Sequence, residues 1–177
     1  LKSVSLKKSD KLILLGDLID RGKKSKEVLD TIILLKNSGF KDITIIRGNH
    51  EQMLLDSIEN EDKEYIWLKN GGDKTLQSFR ANYANQIPKL YIDLLESSIY
   101  YYEYKEYLFV HAGINFELEN PLNDIHSLMW TREMSFENFK NSKFFDKKII
   151  HGHTPIERKK ITESFNNIGI INLDNGV

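Results

Sequence analysis

The 177 residues of this chain predict an α/β fold. Two observations carry the prediction. First, short apolar runs at Leu12-Ile13-Leu14-Leu15, Ile43-Thr44-Ile45-Ile46, Leu108-Phe109-Val110 and Ile149-Ile150 have the length and content of buried strands. Second, each run is followed at once, or after one Gly or Arg-Gly, by Asp, Asn or His, which sets a polar group at the strand's carboxyl end, the edge on which open α/β sheets build their sites.

The elements follow in order. Residues 11–15 form a strand. Residues 25–37 form a helix, with Val28, Leu29, Ile32, Ile33 and Leu35 spaced for one buried face and Gly39 as its stop. Residues 43–47 form the next strand, so the first half contains a β-α-β unit with parallel strands and a right-handed crossover. The continuous apolar runs predict strands buried on both faces. From 50 to 58 and from 61 to 69 the pattern is helical. Asn70-Gly71-Gly72 breaks it, Gly72 or Asp73 restarts it, and Pro88 precedes another helix bearing Leu90, Ile92, Leu94 and Leu95. Residues 98–104 and 106–111 read as a hairpin turning at Lys105. Residues 128–131, 148–150 and 168–173 read as further strands. Helix-strand alternation followed by mostly strands predicts two packed sheets flanked by helices. There is no repeat, linker or low-complexity tract, and residues 1–177 are read as one domain.

Composition limits the function classes. An apolar share of 40% and a charged share of 29% are those of a water-soluble globular chain. A formal net charge of −1 provides no field for nucleic acid or an anionic membrane. Lys23-Lys24, Lys147-Lys148 and Lys159-Lys160 are scattered pairs on a solvated surface. Tyr100, Tyr101, Tyr102, Tyr104 and Tyr107 are expected to have no basic partners and read as sheet packing and edge residues, not as a nucleic-acid platform. With no cysteine, disulfides, thiolate metal sites and a cysteine nucleophile are excluded, which fits a cytoplasmic protein. No run approaches the roughly 20 apolar residues of a membrane span.

Four motifs carry the chemistry: Gly16-Asp17-Leu18-Ile19-Asp20-Arg21-Gly22, Arg47-Gly48-Asn49-His50-Glu51, Val110-His111-Ala112-Gly113 and His151-Gly152-His153-Thr154-Pro155. Secondary marks are Asn70-Gly71-Gly72 with Thr75, and Trp130-Thr131-Arg132. In this order they resemble the calcineurin-like metallophosphoesterases, and within them the bacterial and phage serine/threonine phosphatases of the PPP family. The resemblance spans nearly the whole chain and implies a four-layer α/β/β/α sandwich. That family opens on a strand ending in Gly-Asp-x-His, which this sequence does not contain, and closes on a hairpin of which residues 171–176 resemble the start. The sequence is therefore read as cut short at both ends, with 1–6 as the end of a helix and the loop after it. Such a chain is expected to be inactive or poorly active by itself.

The resemblance assigns roles residue by residue. Asp17 bridges two metals, and Asp20 orients His50. Asn49 offers its carbonyl oxygen to a metal and touches phosphate. His111 and His153 complete the ligands of the second metal. His50 donates a proton to the leaving group, and Glu51 braces the loop. Arg21 and Arg132 bind phosphate through their planar donor forks. A helix cap is the plain alternative for Asp17 and Asp20. His151 is read as a non-ligand and His126 as an ordinary surface or partly buried histidine. A mixed nitrogen and oxygen set without sulfur favours manganese or iron over a structural zinc, with magnesium also compatible.

The function read from the motifs is metal-dependent hydrolysis of phosphomonoesters by a metal-bridging water, with phosphorylated proteins or peptides as substrate. Two alternatives stand beside it. One is diadenosine tetraphosphate hydrolysis, against which Asp20-Arg21-Gly22 and Glu51 count. The other is a non-catalytic phosphate-binding relative, favoured if the leading Asp-x-His is absent from the gene. Asp17, Asn49, His111 and His153 are expected to converge. Oligomeric state is not legible.

Overall fold

The computed structural model describes residues 6–166 and 169–176. The expected helix end at 1–6 therefore falls almost wholly outside the described residues, as does Ile168 of the last expected strand. The chain forms two compact units, one built from Leu1–Ile45 and Asn49–Ser98, the other from Ile46–Gly48 and Ile99–Val177.

In the first unit, β1 (Leu12–Leu14) and β2 (Ile43–Ile45) pair in parallel, Leu12 opposite Ile43 and Leu14 opposite Ile45. Helix α1 (Ser25–Asn37) connects them. It buries Leu29 and Ile32, whereas Val28, expected on the buried face, is exposed. The Leu29–Ile32 spacing sets a narrow stripe and leaves Val28 at its margin. Burial is less complete in β1 than its apolar run suggested, whereas the β2 run ends in buried Ile45 and Ile46. Leu12, Ile13 and Leu14 are all half-buried, and β1 has a single ladder partner among the described residues.

Helix α2 (Asn49–Glu59) follows, then a helical stretch containing α3 (Glu64–Trp67), which widens to a single π-type turn over Leu68–Gly72. Gly71 takes φ +107° there, which breaks the regular helix and lets α4 (Asp73–Phe79) leave in a new direction. Helix α5 (Lys89–Glu96) begins directly after Pro88, which suits the entry to a helix because it lacks an N–H to satisfy. Leu29, Leu54, Trp67 and Leu95 are the most deeply buried large apolar side chains of this unit.

The second unit is a four-stranded sheet in the order β3-β4-β5-β6. Strands β3 (Tyr101–Tyr104) and β4 (Tyr107–Val110) form an antiparallel hairpin whose turn holds Lys105 at φ +55°. Residues expected to continue as a strand at 128–131 instead end helix α6 (Ile125–Trp130). The Asp124 carboxylate caps this helix by accepting the Ser127 N–H at 3.2 Å, and Leu128 and Met129 turn inward from it. Helix α7 (Phe136–Lys140) is capped in the same way by Ser135. Strand β5 (Lys148–His151) pairs in parallel with β4, helix α8 (Arg158–Ser164) follows, and β6 (Ile170–Asn172) pairs in parallel with β5. The core is Leu108, Val110, Ile114, Leu128, Phe139, Phe144 and Ile149. The expected lack of basic partners for the tyrosines does not hold: Lys105 lies over the Tyr104 ring, Arg47 over that of Tyr100 and Lys148 over that of Tyr107.

Gly169 enters β6 at φ +98°, and a Cβ there would overlap the Phe139 ring. Gly169→Ala is expected to destabilise the fold by about 1–3 kcal/mol, through overpacking and a left-handed alanine together. A denaturant midpoint unchanged from the parent would contradict this.

Candidate metal centre

Four of the six non-glycine residues with positive φ among the described residues belong to the motifs: Asp17 at 53°, Asp20 at 70°, Arg21 at 56° and His153 at 68°. Left-handed backbone at such residues costs on the order of 1 kcal/mol each and persists where surrounding contacts hold it. The contacts are visible. Glu51, fully buried, accepts the Asp17 N–H at 2.8 Å on one oxygen and the Leu18 N–H at 2.6 Å on the other. The Arg21 N–H donates to the Gly71 carbonyl at 3.1 Å. Gly71 allows this close approach, since a Cβ there would lie 2.8 Å from Arg21 Cγ.

Asp20 is buried, and its carboxylate gathers donors from three helices. His50 Nδ1 lies 2.7 Å from Oδ2. Trp67 Nε1 donates at 2.9 Å to Oδ2 and 3.1 Å to Oδ1. The Thr75 hydroxyl donates to Oδ1 at 2.7 Å and accepts the Asp20 N–H at 2.8 Å. His50 is buried too, and its Nε2 has no hydrogen-bond partner among the described residues. Burial works against a charged imidazole, but the hydrogen bond to Asp20 and the charges of Asp17 and Asp20 outweigh burial and Arg21, so the His50 pKa is raised above its ordinary value. Asn49 is buried at the start of α2, Asp17 is half-buried, and the Arg21 side chain is exposed.

In the second unit, the β4–β5 register aligns Phe109 with Ile150, and the Gly152 N–H continues the pairing by donating to the His111 carbonyl at 2.8 Å. His111 and His153 are thereby brought together, Nε2 of one 3.1 Å from Nδ1 of the other. Strand β5 ends at His151, and His153 lies beyond it in a left-handed turn, so alternation along a strand does not relate these two rings. Buried His151 is kept neutral: desolvation, reinforced by His111, lowers its pKa to about 4 against the backbone bonds and Asp174 that favour the charge. Arg132 is exposed just past α6. His126 is exposed and stacks on Trp130.

A family model described as calcineurin-like phosphoesterase matches residues 1–176. The chain belongs to the calcineurin-like phosphoesterase family. Members of this family are hydrolases of phosphate esters, and metallophosphoesterases hold divalent metal ions. Serine/threonine-protein phosphatase 1 of Salmonella typhimurium (strain LT2) is 32% identical over 157 residues, covering 85% of this chain and 68% of the relative. Serine/threonine-protein phosphatase 2 of the same organism is 33% identical over 135 residues, covering 71% of this chain. The chain thus spans only 56% of that second relative's length. A solved structure provisionally assigned as a diadenosine tetraphosphatase superposes with a TM-score of 0.62 at 18% identity, over 99% of this chain and 75% of its own. The chain therefore has the α/β metallophosphoesterase fold.

The residues of this family member fit a divalent ion. Two nitrogens bound at about 2.1 Å to one ion, at angles between square and tetrahedral, stand roughly 3.0–3.4 Å apart. The 3.1 Å between His111 Nε2 and His153 Nδ1 is that separation. Trp67 was not singled out by the sequence reading. A tryptophan in the charged stretch Glu61-Asp62-Lys63-Glu64-Tyr65-Ile66-Trp67 was the available signal, because a buried indole N–H needs an acceptor.

A histidine whose folded pKa is about 4 and whose unfolded pKa is near 6.5 takes up its proton earlier in the unfolded chain. Its contribution is intact above pH 6.5 and is lost as pH falls towards 4. Across that window His151→Gln is expected to remove roughly 3 kcal/mol, at most, of the acid sensitivity of unfolding. Parallel stability-against-pH curves for the two proteins would be the contrary result.

Proposed function

We propose that this protein is a serine/threonine protein phosphatase, hydrolysing phosphoserine and phosphothreonine esters. The observation that best supports a phosphomonoester hydrolase is the buried His50–Asp20 pair with an unpartnered Nε2, next in sequence to Asn49 and near strand-end Asp17. The substrate class is supported by the names of the relatives that are 32% and 33% identical.

In this reading Asp17, Asn49, His111 and His153 would be the ligands of two divalent ions, manganese first and iron, zinc or magnesium as alternatives. When bound, the ions neutralise phosphate charge and lower the pKa of the attacking water. Arg21 and Arg132 would bind phosphoryl oxygens through paired N–H donors, and the Asn49 amide would add a further phosphate contact. Asp20 accepts the Nδ1 proton of His50, so the acidic proton of the imidazolium sits at Nε2. As the bond to the leaving oxygen breaks, that proton moves to the alkoxide and His50 becomes neutral. The cysteine-free sequence suits a cytoplasmic location.

The full-length gene product, stripped of metal, is expected to lose activity towards a phosphoserine peptide and to regain it most fully with Mn²⁺ when Mn²⁺, Mg²⁺, Fe²⁺ and Zn²⁺ are restored separately. Activity that survives exhaustive chelation, or a preference for diadenosine tetraphosphate over the peptide, would replace this reading. His50→Asn should lower kcat by roughly 10²–10⁴-fold, the usual worth of a positioned general acid. The loss should shrink for p-nitrophenyl phosphate, whose leaving group needs no proton, and equal losses on both substrates would remove His50 from the acid role.

A further inference from the structure

We propose that Trp67 is a positioning residue for the proton donor: its indole N–H straddles the Asp20 carboxylate and fixes the plane in which Asp20 holds His50. This rests on the reading of His50 as general acid.

The geometry is specific. Trp67 Nε1 lies within 2.9 and 3.1 Å of the two Asp20 oxygens, so one donor spans both. Thr75 binds Oδ1 at 2.7 Å, and His50 binds Oδ2 at 2.7 Å. With each oxygen committed to its own donor and the indole between them, the carboxylate cannot rotate without breaking bonds in a site where both Asp20 and Trp67 are buried. The indole only donates, so it orients the carboxylate and cannot accept the proton that His50 needs.

The ring is itself fixed. A Cβ at Gly72 would overlap the Trp67 indole, so glycine opens the space in which the ring lies. One residue earlier, the Gly71 carbonyl holds the Arg21 N–H. The run Trp67 to Thr75 therefore grips the loop of Asp20 and Arg21 at three points: the indole and Thr75 on the carboxylate, and a carbonyl on the next backbone N–H. Packing alone asks for a large flat ring at 67. Only positioning asks for its N–H.

The test compares Trp67→Phe with the parent and with His50→Asn, each as full-length, metal-loaded protein. Readouts are kcat and KM on a phosphoserine peptide and on p-nitrophenyl phosphate, together with metal content and thermal midpoint. Trp67→Phe is expected to lower kcat on the peptide roughly ten- to hundredfold, the scale of one hydrogen bond to a charged group. The loss on p-nitrophenyl phosphate should be clearly smaller, with KM and metal content unchanged. Equal losses on the two substrates, or no loss, overturn the proposal. If His50→Asn itself shows no dependence on the leaving group, the general-acid reading fails first and takes the proposal with it. Incorporating benzothienylalanine at 67, which keeps the ring and replaces only the N–H with sulfur, gives the same comparison independently of folding, and it should reproduce the split between substrates.

Discussion

A carboxylate buried in a protein must be satisfied by donors, and the first unit is organised around doing this for Asp20. Stripping an ionised carboxylate of water costs several kcal/mol, and each hydrogen bond to a charged acceptor returns about 1.5–3 kcal/mol. The donors come from α2, α3 and α4, through His50, Trp67 and Thr75. Moving any of these helices exposes the charge to an unpaired state, so the helix packing and the site are one structure. The hydrogen bond between His50 and Asp20 turns this structural demand into a chemical one, because the carboxylate that must be satisfied also favours a proton on the imidazole.

The second constraint is where the backbone turns. Asp17, Asp20, Arg21 and His153 are left-handed, a conformation that most L-residues avoid. Each directly follows, or closely follows, a strand, where the extended chain has to fold back sharply if a side chain is to remain at the sheet edge. Glu51 meets this need in the first unit by taking two consecutive N–H groups of the Asp17 turn. In the second, the His151 carbonyl accepts the Leu173 N–H, and Asn172 donates to the Thr154 carbonyl, so β6 secures the turn that carries His153. The acid at 51 is thus a structural anion for the backbone donors of the motif before it.

The parts of the fold that were legible in the sequence are those set by local chemistry. Helix α1 has the bounds its apolar spacing predicts, and the β1–α1–β2 unit, the break at Asn70-Gly71-Gly72, the start at Lys89 and the hairpin at Lys105 all lie where propensity and turn residues put them. Helix α6 was misread because Leu128-Met129-Trp130 has the look of a strand. The deciding signal was the Asp124 cap three residues before Ser127, a weak pattern beside three apolar residues. Helices α7 and α8 are one to two turns long, too short for periodicity to emerge.

For the site, legibility divides by distance along the chain. The strand-end motifs single out Asp17, Asn49, His111 and His153 as candidate ligands because each motif is a contiguous run behind an apolar segment. Trp67 could not be found this way, since its partner Asp20 is 47 residues away and no local pattern ties an indole to a carboxylate. Gly71 and Gly72 look in sequence like a plain helix break. In the structure each is required by a different neighbour, Arg21 for one and the Trp67 ring for the other. A glycine pair read as a break records the absence of side chains, whereas here that absence leaves room for another residue's chemistry. The same logic separates His151 from His153. They are two residues apart in one motif, yet one is buried and kept neutral inside the sheet and the other is turned out by a left-handed residue to meet His111, a difference of backbone angle that composition does not carry.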